Sequence, residues 1–168
     1  VGVRDNRLFV GTSEGQVLAL DTADGSVIWR QTLRGEVLSA PQSDGRVVVV
    51  QTYDGRAQGL DAQSGDLLWS YDSNVPVLTI RGTSTPILRD GTAYVGFANG
   101  RVVAFDAEKG SVEWELRVAI AQGRSEIERM VDIDGAMEII ANEFYASSYQ
   151  GYLVAADLRT GRKLWQQE

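Results

Sequence analysis

The chain contains no cysteine and no histidine. Without cysteine, neither a disulfide framework nor a thiolate metal site can form. Without histidine, Ser-His-Asp and Cys-His catalysis, imidazole proton shuttles and the common zinc sites are excluded within these 168 residues. Any chemistry would have to come from carboxylates, lysine or tyrosine. Long apolar runs are missing too, since no stretch reaches the roughly 18 residues that read as a membrane helix. The opening VGVRDNRLFV has neither a basic stretch nor the continuous apolar core of a targeting signal. A positive excess is also lacking: 16 Lys and Arg against 23 Asp and Glu give a formal net charge of −7. That balance disfavours nucleic acid as a partner and supports solubility. At 43% hydrophobic and 23% charged, the composition is that of an ordinary globular domain.

What is present is a repeat. GQVLALDTADGSVIW ends at Trp29, GRAQGLDAQSGDLLW at Trp69, GRVVAFDAEKGSVEW at Trp114 and GYLVAADLRTGRKLW at Trp165. The intervals between tryptophans are 40, 45 and 51 residues, the length of a four-stranded propeller blade and too long for a leucine-rich repeat. In each copy an apolar run precedes an aspartate, Asp21, Asp61, Asp106 or Asp157, and a glycine follows four residues later. The carboxylate can accept turn N–H groups and the glycine can take positive φ, so the unit reads as a hairpin. Upstream runs at Leu8 to Gly11, Val47 to Val50, Ala93 to Phe97 and Phe144 to Ser147 supply another strand each. Stretches around Pro41 and Pro86, and IDGAMEII before Asn142, supply a further one for blades two to four.

The expected architecture is all-β: a β-propeller with four blades of four antiparallel strands. The blades divide at about 1–33, 34–74, 75–118 and 119–168. A lone four-stranded sheet cannot cover its two apolar faces, so blades stack face to face, with each Trp in a seam. Val1 to Val3 reads as a remnant of an inner strand, and both ends read as cut from a longer protein. The repeats resemble those of eight-bladed rings, which implies about half a ring. Such a half either leaves two blade faces open or self-associates.

Function is expected where the repeat is interrupted. Trp29 to Pro41 spans 12 positions and Trp69 to Pro86 spans 17, and loops that grow on a constant scaffold are the usual carriers of function. The second connection, SYDSNVPVLTIRGTSTP, carries Leu78, Ile80 and Arg81, either core residues or an interface anchor beside an arginine. The third, LRVAIAQGRSEIERMVDIDGAM, opens a helix-starting pattern at Ser125 and Glu128, predicting a short helix over about Glu126 to Met130. Asp132 and Asp134 follow, on one side of an extended segment and one blade along from Arg81. They read as a solvated loop or ion pair with Arg81, as a partner-binding patch, or as a calcium site. The EF-hand pattern fails, because its glycine would fall at Met137. No catalytic residue, cofactor or metal ligand is assigned.

The AxDxxxGxxxW repeat resembles the quinoprotein-type propeller repeat. One branch, the quinoprotein (PQQ-dependent) dehydrogenases, often binds its quinone beside a vicinal cysteine pair, which this chain lacks. It is kept as the alternative. The chain more closely resembles the BamB family, propeller lipoproteins of the outer-membrane β-barrel assembly machinery of Gram-negative bacteria. VLTIRGTSTPIL is similar to that family's Leu-x-Leu-Arg-Gly-x-Ser-x-Pro stretch, and GRSEIERMVDID to its Gly-Ser-x-Glu-Ile-x-Arg-x-x-Asp-x-Asp stretch. The resemblance implies a non-enzymatic scaffold that binds BamA's periplasmic domains through Leu78, Ile80, Arg81, Asp132 and Asp134. It implies a place at the periplasmic face of the outer membrane, a lipid-anchored full-length protein, and unfolded outer-membrane proteins as further partners.

Overall fold

The computed structural model describes residues 1–73, 84–120, 125, 130–133, 135–149 and 151–168. Sixteen strands among them form four separate sheets of four. The first holds β1 (Gly2–Arg4), β2 (Arg7–Gly11), β3 (Gln16–Asp21) and β4 (Val27–Thr32). The second holds β5 (Gln42–Ser43), β6 (Val47–Gln51), β7 (Arg56–Asp61) and β8 (Leu67–Asp72). The third holds β9 (Ile87–Arg89), β10 (Thr92–Gly96), β11 (Arg101–Asp106) and β12 (Val112–Arg117). The fourth holds β13 (Glu138–Ile140), β14 (Glu143–Ser147), β15 (Leu153–Asp157) and β16 (Lys163–Gln167). Every sheet runs in sequence order with antiparallel neighbours, which is the propeller blade. β1, expected as a remnant, is a full inner strand of three residues, as long as β9 and β13.

The repeated aspartate builds the turn between the third and fourth strands. Asp61 Oδ1 accepts the N–H groups of Gln63 at 2.8 Å and Ser64 at 2.9 Å, while Gly65 donates to the Asp61 carbonyl at 2.8 Å. Asp106 holds Glu108 and Lys109 in the same way, Asp157 holds Thr160, and Asp21 holds Ala23. Bonds to the charged form stabilise it. The backbone N–H groups at Ser64 and Lys109 therefore hold Asp61 and Asp106 below the ordinary carboxylate range, and the Thr160 hydroxyl does so for Asp157. In all four hairpins the register shifts just after the residue facing the tryptophan, which is Ala19, Gly59, Ala104 or Ala155. At Gly59 the indole leaves no room even for a methyl group: a Cβ there would come within 2.2 Å of Trp69 Nε1.

Three of the tryptophans close seams between blades. Trp29 Nε1 donates to the Ala62 carbonyl at 3.1 Å, Trp69 to Ala107 at 2.8 Å, and Trp114 to Leu158 at 3.1 Å. Each acceptor follows the turn aspartate of the next blade, and each indole lies on that blade's turn glycine, Gly65, Gly110 or Gly161. Around them the facing sheets interlock. Phe9, Val17 and Ala19 meet Val48, Val50 and Leu60 in the first seam. Trp69 stacks on Phe105 in the second, and Trp114 meets Phe144 in the third. Trp165 departs from the expectation that all four tryptophans are buried. It is 40% exposed against 8% for the other three, because it lies on the last sheet and no described sheet covers it.

Candidate functional site

Alternation of strand direction puts the aspartate turns at one end of every blade and the connections to the next blade at the other. The connections leave by one shared device. The first residue beyond the outer strand donates its N–H to the glycine that closes the turn between the second and third strands. These bonds are Leu33 to Gly15 at 2.8 Å, Ser73 to Gly55 at 2.9 Å, and Val118 to Gly100 at 2.9 Å. A buried chain must satisfy its backbone donors, and this arrangement does so before the path is free to vary.

The first and third connections also return in one register. Val37 N–H meets the Thr12 carbonyl at 2.9 Å, and Ile133 N–H meets that of Phe97 at 3.3 Å. The residue before each accepts from the following blade, Tyr53 to Glu36 at 2.8 Å and Tyr149 to Asp132 at 3.0 Å. Val37 lies over Gly11 and Ile133 over Gly96, so closely that a Cβ on either glycine would come within 2.3 or 2.5 Å of them. Glu36 and Asp132 therefore hold the same structural position, each tied to two blades. The matching sequence signal is a charged residue five places before the residue that leads into the inner strand, Pro41 or Met137. Arg81 stands at the same count before Pro86, giving acid, base, acid along three successive connections.

Asp132 is only 3% exposed, so it is not a solvated loop carboxylate. A charge at such a place is kept by polar partners, and Asp132 is engaged there. Replacing it by alanine therefore costs stability, which the sequence does not suggest. Leu78, Ile80, Arg81 and Asp134 lie outside the described residues, as does the expected helix except for its last residue, Met130, which is buried outside any helix. The expected closeness of Arg81 to Asp132 and Asp134 falls there as well. The points where the second connection leaves and returns are fixed. Ser73 accepts from Asn99 Nδ2 at 2.9 Å, and Ser84 Oγ donates to the Gly96 carbonyl at 3.0 Å.

The connection face also presents residues that the sequence does not single out. Two grooves of about 380 and 280 Å³ flank the start of the third connection, and Arg117, Ala119 and Ile120 line both. Ile120 is 55% exposed, and Tyr149, on the same face, 53%. An exposed apolar side chain in grooves that it shares with Arg117 and, in turn, Tyr71 and Tyr152 is the composition of interface anchors. Nothing in the sequence separates Ile120 from its neighbours Val118 and Ala119, which are buried at 1% and 3%.

With this geometry in hand, comparison with known proteins is direct. The family profile described as outer membrane protein assembly factor BamB matches residues 1–168. An outer membrane protein assembly factor BamB of Yersinia pestis is 37% identical over 163 residues, covering 97% of this chain and 42% of that protein. The crystal structure of BamB from Moraxella catarrhalis superposes with a TM-score of 0.85 at 30% identity, over 100% of this chain and 63% of that one. The chain thus spans about two-fifths of the length of a curated relative such as that of Y. pestis. A quinohemoprotein alcohol dehydrogenase from Comamonas testosteroni, at 21% identity and a TM-score of 0.76 over 99% of this chain and 34% of that one, shares the fold alone. By profile, sequence and structure, the chain belongs to the BamB family of outer membrane protein assembly factors.

Proposed function

We propose that the chain is a non-enzymatic scaffold at the periplasmic face of the outer membrane. It binds BamA's periplasmic domains through its connection face and so supports folding and insertion of β-barrel proteins. The full-length protein is held there by a lipid anchor. The observation that carries this reading is the shared register of Glu36 and Asp132. A constant frame fixes a charged position in the first and third connections, while the residues by which the third is longer than the first lie between its leaving point and that position. In this reading Leu78, Ile80, Arg81 and Asp134 contact the partner. Asp132, being buried, is a positioning residue that holds the third connection against blades three and four. Arg117 and Ile120 extend the same surface.

The test is a pull-down with BamA's periplasmic domains. Arg81→Ala, and separately Asp132→Ala with Asp134→Ala, lose binding while circular dichroism stays that of a folded β protein. Binding unchanged by both removes the interface. A quinone absorbance in the purified protein would instead favour the dehydrogenase alternative. A second contact, with unfolded outer-membrane protein strands, is favoured by one observation. The outer strands β4, β8, β12 and β16 are sheet edges with exposed apolar residues, among them Val27 at 51%, Leu67 at 48% and Leu164 at 43%. An edge of this kind accepts an added strand. Crosslinking of an unfolded barrel protein to these four strands tests it, and crosslinks confined to the connection face would contradict it.

A further inference from the structure

In every blade the first residue of the third strand faces the end of the fourth. These pairs are Gln16 with Thr32, Arg56 with Asp72, Arg101 with Arg117, and Leu153 with Gln167. In blade two the pair is an ion pair, Arg56 Nε to Asp72 Oδ2 at 3.2 Å. In blade three two arginines stand directly opposite one another, an arrangement that costs stability in an antiparallel pair. Glu115 relieves only one of them, its Oε2 lying 3.0 Å from Arg101 Nη1. The exposed Arg117 guanidinium has no ion-pair or hydrogen-bond partner among the described residues.

The arginine pair lies between the exits of two connections. Ser73, where the second connection leaves, and Ala119 and Ile120, where the third does, wall the larger groove with Tyr71. Asp72 is on that wall too, but Arg56 already holds it. The smaller groove, on the blade-four side of Arg117, adds Lys163, which donates to Gln166 Oε1 at 2.5 Å and meets no carboxylate among the described residues. Both grooves are formed between neighbouring blades of this chain. In a chain of net charge −7, this rim is locally positive.

We propose that Arg101 and Arg117 together receive a carboxylate of BamA's periplasmic domains, an Asp or Glu beside an apolar residue that packs on Ile120. Charge complementarity selects this occupant: a carboxylate set between two guanidinium groups turns a like-charge pair into a charge-assisted bridge. A guanidinium has five donors, so Arg101 keeps Glu115 and still shares the incoming group. Ile120, 55% exposed at the same groove, supplies the apolar half of the contact. The identity of the partner rests on the proposed function, whereas the sign of its charge comes from the arginine pair.

Calorimetric titration of the whole chain with BamA's periplasmic domains tests it, beside thermal melting of each variant alone. Arg117→Asp copies the pattern of Arg56 and Asp72. It is expected to raise the melting temperature by about 1–3 °C while weakening binding about tenfold or more. Arg117→Lys, which keeps the charge but not the planar fork, weakens binding less. Added salt weakens binding of the unaltered chain and has less effect on the Arg117→Asp variant. If Arg117→Asp binds as the unaltered chain does while Arg81→Ala loses binding, this proposal is overturned and the proposed function stands. Binding lost together with a lowered melting temperature overturns it as well, because the arginine is then structural. Equal loss in the Lys and Asp variants removes the role of charge and has the same consequence. No binding by the unaltered chain overturns both readings.

Discussion

The seams and the connections are built by opposite rules. Every seam repeats an indole N–H on a carbonyl, at 2.8 to 3.1 Å, over a bare glycine. The connections share only where they leave and, for the first and third, where they return. Between those points they differ freely in length. The difference teaches that insertion is tolerated where the backbone has been anchored on both sides, and that the frame is indifferent to what is inserted. On the proposed function, the invariant contacts serve stability and the variable connections serve recognition.

The sharpest way to break that division is to remove one seam contact. Trp69→Ala takes away a buried indole and its bond to Ala107, and is expected to cost about 3–5 kcal/mol in urea unfolding. Trp165→Ala, measured on dilute chain, is expected to cost about half of that or less, its side chain being 40% exposed. Equal costs would mean that the seams are not what the tryptophans stabilise. A second comparison holds backbone strain constant. Gly110 and Gly25 have φ of 69° and 74°, yet a Cβ at Gly110 would lie 2.4 Å from Trp69 Cγ while one at Gly25 meets nothing. Gly25→Ala should cost about 1 kcal/mol from the left-handed backbone alone. Gly110→Ala adds the overpacking of a seam, about 1–3 kcal/mol more.

On the connection side, Asp132→Asn should cost about 1–3 kcal/mol, as for a buried polar group whose partners are disturbed. Arg81→Ala is expected to leave the melting temperature within about a degree while binding is lost, which separates contact from positioning. The smallest effect concerns the turns. Asp61, Asp106 and Asp157 have folded-state pKa values below the unfolded value of about 3.9, so their contribution is present above about pH 4 and is lost as pH falls through the folded values. The urea midpoint should therefore decline below pH 4 and change little between pH 5 and 8. Asp106→Asn, which lies in an exposed turn, should flatten that decline slightly.

The blades were legible in the sequence because a hairpin is local: an aspartate, a glycine four residues on, and a strand either side specify it without reference to the rest. Trp165 shows the limit. Its sequence context matches that of Trp29, Trp69 and Trp114, yet its burial depends on whether a sheet faces it, which no local pattern records. The lengthened connections were visible as stretched intervals. The equivalence of Glu36 and Asp132 was not, since it consists of which distant carbonyl each neighbouring N–H meets. Burial of Asp132 was hidden for the same reason: an acidic residue in a polar stretch reads as exposed until the blades on both sides of it are placed.

Hydrogen exchange of the chain with and without BamA's periplasmic domains tests the division of labour most directly. The account predicts that protection grows over residues 74–83 and 118–137, while the turns that begin at Asp21, Asp61, Asp106 and Asp157 stay unchanged. Protection on those turns with none on the connections would contradict it.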